Sequence, residues 1–71
     1  MNKIYNVGIV GCGLIGNKRA FSLGKKGRVF ACADIDIDKA NTLASKTGAL
    51  AFQDWKELVQ IKDIDIIIIS T

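Results

Sequence analysis

Gly11-Cys12-Gly13-Leu14-Ile15-Gly16 has the form G-x-G-x-x-G, and an acid, Asp34, stands eighteen residues beyond the last glycine. Glycines in this pattern bring bare backbone against an anion. Gly11 permits a tight turn, Gly13 removes a side chain so that a pyrophosphate can approach, and Gly16 lets a helix pack closely on a strand. A helix opening at Leu14 adds unpaired N–H groups and a partial positive charge. A carboxylate placed as Asp34 is accepts both hydroxyls of an adenine ribose and repels a 2′-phosphate. The constellation predicts dinucleotide binding, with NAD favoured over NADP. The structural alternative is a bare glycine turn, with Asp34 capping or solvating the start of the next helix. Lys39 could swing toward a 2′-phosphate, but reads as a solvated helix residue.

These residues need a strand before the glycines, a helix after them, and a second strand that ends at the acid. Ile4 to Val10 is a β-favouring run that stops at the glycines, the pattern of a buried parallel strand. Leu14 to about Lys26 reads as a helix in which Gly13, Gly16, Ala20 and Leu23 form a small-residue stripe, with Gly24 and Gly27 as its stop. Arg28 to Asp34 is a second buried strand. Asp36 caps a second helix whose inner face is Ala40, Leu43, Ala44 and Thr47, and Gly48 ends it in a left-handed conformation. Ala49 to Phe52 is a short strand, and Asp54 with Glu57 opens a short helix with Leu58 and Val59 inward. Ile64 to Ser70 is a strand apolar on both faces. The order βαβαβαβ implies an α/β fold, a parallel sheet with right-handed crossovers, and in the usual order of this Rossmann-type architecture the strands lie 3-2-1-4. Ligands of such sheets bind where the strand order reverses, so Ser70 and Thr71, beyond that point, are candidates for the cofactor's ribose or pyrophosphate.

With 71 residues, 49% of them apolar, the chain holds one small domain at most, against about 100–150 residues for a typical domain. Residues 1–71 are read as the N-terminal portion of a dinucleotide-binding domain, without a catalytic or substrate domain. Residues 1–33 carry six basic side chains and no acid, while residues 34–71 carry four lysines and all seven acids. The basic residues lie along one helix and its following turn, with no interleaved aromatic platform, so they read as a solvated face and nucleic acid is not expected. No apolar run approaches the ~20 residues of a membrane span. Ile9-Val10-Gly11-Cys12 superficially imitates a lipoprotein cleavage site, but Asn6 and Gly8 break the apolar region that an export signal needs. A cytoplasmic location is expected. Cys12 and Cys32 have neither zinc-site nor CxxC spacing and read as buried thiols, so no metal is expected.

VGIVGCGLIG, then ACADID before a helix, the short Ala49 to Phe52 strand, Trp55-Lys56-Glu57-Leu58 and DIDIIIIST together resemble one family across the whole chain. It is the glucose-fructose oxidoreductase, inositol dehydrogenase and MocA-type family of nicotinamide-dependent sugar and polyol oxidoreductases, in its N-terminal part. The resemblance implies that Gly11, Gly13, Leu14, Ile15 and Gly16 contact the pyrophosphate region, that Asp34 and Ile35 flank the adenosine, and that Ser70 and Thr71 open the loop toward the nicotinamide. It also implies hydride transfer to or from a sugar or polyol in a full-length parent. Arg19 stands where relatives often have His, on a face turned from the cofactor. The Pro-containing loop, the Glu-Lys-Pro segment and the His that assist proton transfer in relatives have no counterpart among these residues. The chain has no His at all, so it is expected to be inactive alone, with no catalytic residue of its own. Strand 64–70, an exposed apolar edge, is expected to drive self-association. Two other readings are a stand-alone dinucleotide-binding or sensing module, and a methyltransferase using S-adenosylmethionine. The methyltransferase reading is disfavoured because Ile9-Val10 stands where those enzymes place an acid.

Overall fold

A computed structural model describes residues 3–70. The strands are β1 (Tyr5–Val10), β2 (Gly27–Ala33), β3 (Leu50–Phe52) and β4 (Ile66–Ile69), and the helices α1 (Leu14–Ala20), α2 (Ile37–Thr47) and α3 (Trp55–Val59). The strands form one sheet in the order β3-β2-β1-β4, the usual order expected for this architecture, and every pairing is parallel, as the alternation of elements predicts. β1 and β2 pair from Tyr5↔Gly27 to Val10↔Ala33, with an irregularity between Val7 and Gly8. That register brings the ends of β1 and β2 level, so the glycine turn and Asp34 emerge side by side.

Period-two alternation divides the sheet between two cores. Val7, Ile9, Val29 and Cys32 pack on one face with Ala20 of α1 and with Ala40 and Leu43 of α2. On the other face Leu58 of α3 packs with Ala31 and Ala33. Gly8 makes room there, because a Cβ at that position would lie 2.7 Å from a Leu58 methyl. α2 starts where Asp36 accepts a hydrogen bond from the Asp38 N–H and stops at Gly48, whose φ of 79° is left-handed. Both ends follow the predicted caps.

β1 and β2 fall within a residue of their expected bounds, and further differences from the sequence expectation lie elsewhere. α1 ends at Ala20 rather than near Lys26, and Gly24–Lys26 is a separate 3₁₀ turn. Ser22 explains part of this, since its Oγ donates to the Lys18 carbonyl at 2.6 Å and its N–H turns to the Arg19 carbonyl. β4 is shorter than residues 64–70, because Ile64 turns into the core under α3 while the Asp65 N–H and carboxylate bind the backbone of Asn6. Ala49 lies outside β3, its N–H turned to the Thr47 hydroxyl. Leu58 is fully buried as expected, but Val59 is 41% exposed. In the same helix the Asp54 carboxylate accepts from the Lys56 N–H, one residue short of a capping box with Glu57.

Candidate functional site

β1 delivers the chain into the turn at Gly11, where φ is 99°, a conformation that a side chain makes costly. The Gly11 N–H donates to the Ala33 carbonyl at 2.8 Å, fixing the turn to the end of β2. Gly16 serves the same turn from α1. A Cβ at Gly16 would sit 1.9 Å from the Gly11 carbonyl oxygen, so only glycine lets the helix pack there. Gly13 is different. Its φ of −79° suits any residue, and a Cβ there would meet nothing within 4 Å. Among the described residues no atom accounts for a glycine at this position, whereas a ligand drawn close to the backbone would.

Gly13 is the N-cap of α1 and offers no side-chain cap, so the first N–H groups of the helix have no partner in it. Asn17 stiffens the turn by donating its Nδ2 to the carbonyls of Cys12 at 3.0 Å and Gly13 at 2.9 Å. The side chains of Leu14 and Ile15 stand exposed at its mouth. The predicted small-residue stripe is thus divided in role: Gly16 and Ala20 are buried against the sheet, whereas Gly13 faces open space.

Asp34 lies directly after β2 and is half-buried. Its Oδ2 accepts from the Cys12 N–H inside the glycine turn, and its Oδ1 accepts from the Asp36 N–H, both at 2.8 Å. These bonds, the Cys12 N–H first, hold its carboxyl below the usual range, with Lys39 adding a smaller electrostatic pull. Asp34 is therefore ionised at neutral pH, and each oxygen keeps lone-pair capacity for a ribose hydroxyl. The Cys12 thiol, by contrast, is pushed up to about 12 by burial and then by the neighbouring Cys32. Such a thiol stays protonated and is no nucleophile.

Ser70 reaches the same end of the sheet, with its N–H on the Val10 carbonyl at 2.8 Å. Its hydroxyl is buried without a hydrogen-bond partner among the described residues, an arrangement that a polar ligand atom would satisfy. Thr71 lies outside the described residues. Ile35 is 84% exposed beside Asp34. It joins Val10, Gly11, Ala33, Asp34, Gln53 and Trp55 around a cleft of about 140 Å³. Sequence reading missed Asn17, Gln53 and Trp55. The i, i+4 spacing of Asn17 from Gly13 is a usable signal, but nothing in the pattern marks Gln53 or Trp55.

A βαβ unit with this turn and an acid tied to it defines a dinucleotide-binding Rossmann fold, and the residues fit such a ligand at Gly13, Asp34 and Ser70. The chain belongs to the Gfo/Idh/MocA oxidoreductase family, whose NAD-binding Rossmann fold matches residues 5–71. It is 38% identical over 66 residues to the L-aspartate dehydrogenase of Methanocaldococcus jannaschii, a match covering 87% of this chain and 24% of that protein. It also resembles a myo-inositol dehydrogenase from Corynebacterium glutamicum, with a TM-score of 0.90 and 28% identity over 96% of this chain and 21% of the other. A myo-inositol dehydrogenase from Lactobacillus casei, solved with NAD(H) and myo-inositol, gives a TM-score of 0.89 and 26% identity, covering 96% of this chain and 22% of the other. The chain thus spans between a fifth and a quarter of the length of these relatives.

Proposed function

We propose that this chain is the NAD-binding part of a nicotinamide-dependent oxidoreductase acting on a sugar or polyol hydroxyl, and that residues 1–71 bind the cofactor without turning over substrate. The observation that carries this reading is the open approach to Gly13 beside a carboxylate bonded to the same turn. In it the N–H groups of Gly13, Leu14, Ile15 and Gly16 hold the pyrophosphate, with Gly11 shaping the turn. Asp34 accepts the adenine ribose hydroxyls, Ile35 covers the adenosine, and Ser70 and Thr71 border the path to the nicotinamide. Bound NAD supplies a hydride acceptor. Asp34 sets the preference for NAD, because a 2′-phosphate would bring negative charge against an ionised carboxylate that is already hydrogen-bonded in place.

The sugar or polyol assignment rests on the inositol dehydrogenases among the similar structures. The name of the L-aspartate dehydrogenase favours a second reading, oxidation at a carbon bearing an amine. No helix among the described residues is long and apolar enough to cross a membrane. A cytoplasmic site of action is part of the proposal. The cofactor and the parent's substrate are the partners in this reading, with nucleic acid and membrane given no part. Self-association through β4 completes the proposal.

Calorimetric titration with NAD, NADP and S-adenosylmethionine tests the central part. NAD is expected to bind at least about tenfold tighter than NADP, equivalent to roughly 1.4 kcal/mol, with no binding of S-adenosylmethionine. Binding of S-adenosylmethionine alone would refute the assignment.

A further inference from the structure

We infer that Trp55 is a nucleotide-contacting residue, its indole packing against the adenine ring of the dinucleotide. The inference rests on the cofactor reading and adds a contact that neither the glycine motif nor Asp34 supplies. The cleft of about 140 Å³ lies at the C-terminal ends of three strands, between the tail of β1, the Ala33-Asp34-Ile35 end of β2, and Gln53 and Trp55 after β3. Its lining is almost wholly apolar. Such a wall repels a phosphate but suits a flat base, whose faces are apolar and aromatic.

Asp34 fixes which part of the ligand reaches the cleft. If its carboxylate holds the adenine ribose, the base is one glycosidic bond away, and the cleft that Asp34 itself borders receives it. The fold does not need the indole elsewhere. Leu58, which is 0% exposed, anchors α3 into the core, while Trp55 remains 48% exposed on the first turn. Trp55 is nevertheless held in place. The Asp54 carboxylate caps the helix through the Lys56 N–H at 2.9 Å, and the Gln53 Nε2 donates to the Ile35 carbonyl at 2.9 Å, tying the ends of β2 and β3 together across the cleft.

Trp55 is the chain's one tryptophan, so its emission reports this position alone. The test titrates the chain with NAD, AMP and nicotinamide mononucleotide, following Trp55 emission and heat in parallel. NAD and AMP are expected to change the emission with the midpoint seen by calorimetry, and nicotinamide mononucleotide to leave it unchanged. W55A is expected to weaken NAD binding about tenfold, as loss of a base-stacking partner does, while W55F retains most of the affinity. NAD binding by calorimetry with unchanged emission and an unaffected W55A would overturn the inference. Trp55 would then belong to the apolar face that it shares with Val59, Ile67 and Ile69. Absence of heat with NAD on the unaltered chain would overturn the cofactor reading itself, and this inference with it.

Discussion

Single residues at the site divide into those that shape the turn and those proposed to meet the ligand, and Asp34 is assigned to both. Its two oxygens each hold a backbone N–H. In D34N the amide group would face one of those donors with its own N–H, so the variant is expected to lose about 1 kcal/mol in urea denaturation at pH 7. Folding lowers the Asp34 carboxyl from its ordinary 3.8, chiefly through the Cys12 N–H. That contribution is therefore complete above pH 3.8 and is lost as pH falls through the lowered folded value. D34N should flatten part of the acid decline in stability, and an unchanged decline would count against the bond. Cys12 works in the opposite sense. Its thiol is raised from 9.0 to about 12, so stability is full below pH 9 and falls between 9 and 12 as the unfolded chain gains thiolate. Urea midpoints at pH 8 and 10 should show this decline, and C12S should reduce it. A C12S decline as steep as that of the unaltered chain would show that other groups set the alkaline limb.

At the scale of elements, the sequence was most legible where one strong local signal had no competitor. α2 starts at Asp36 and stops at Gly48 because a side-chain cap and a left-handed glycine leave little freedom. Parallel pairing followed from alternation and handedness, and the order 3-2-1-4 is the usual one for this architecture. Legibility failed where tertiary contacts decide. The Leu14 to Lys26 periodicity continued through Leu23, and Leu23 does pack on the core, but from beyond the helix end. The apolar run to Ser70 looked uniform, yet the Asn6–Asp65 bonds and the burial of Ile64 set where β4 begins. For the site, the motif spacing located Gly11, Gly13, Gly16 and Asp34. The bond from the Cys12 N–H to Asp34 depends on the β1–β2 register, which one-dimensional spacing does not encode. Gln53 and Trp55 follow β3, which the strand order already set beside β2, but nothing in their types or spacing marks them as lining the cleft.

At the scale of the whole molecule, two features dominate: the end that carries the glycine turn, and an apolar flank. Among the described residues β4 is an edge of the sheet, and Ile67 and Ile69 are 41% and 72% exposed beside Trp55 and Val59. Unpaired backbone with such side chains associates edge to edge. Light scattering at high micromolar concentration should show dimers or larger species, with I69K shifting the chain toward monomer, whereas a strict monomer would refute the proposal. The central claim concerns the other end, that the glycine turn is shaped for a dinucleotide and not merely for its own packing. The most direct measurement is NAD binding to G13A, with thermal unfolding recorded on the same sample and G16A alongside. An added methyl at Gly13 meets no atom of the described residues, while at Gly16 it strikes the Gly11 carbonyl. The account predicts that G13A melts like the unaltered chain yet binds NAD at least about tenfold more weakly, whereas G16A loses roughly 1–3 kcal/mol of stability as well. NAD binding by a folded G13A at the affinity of the unaltered chain would contradict it.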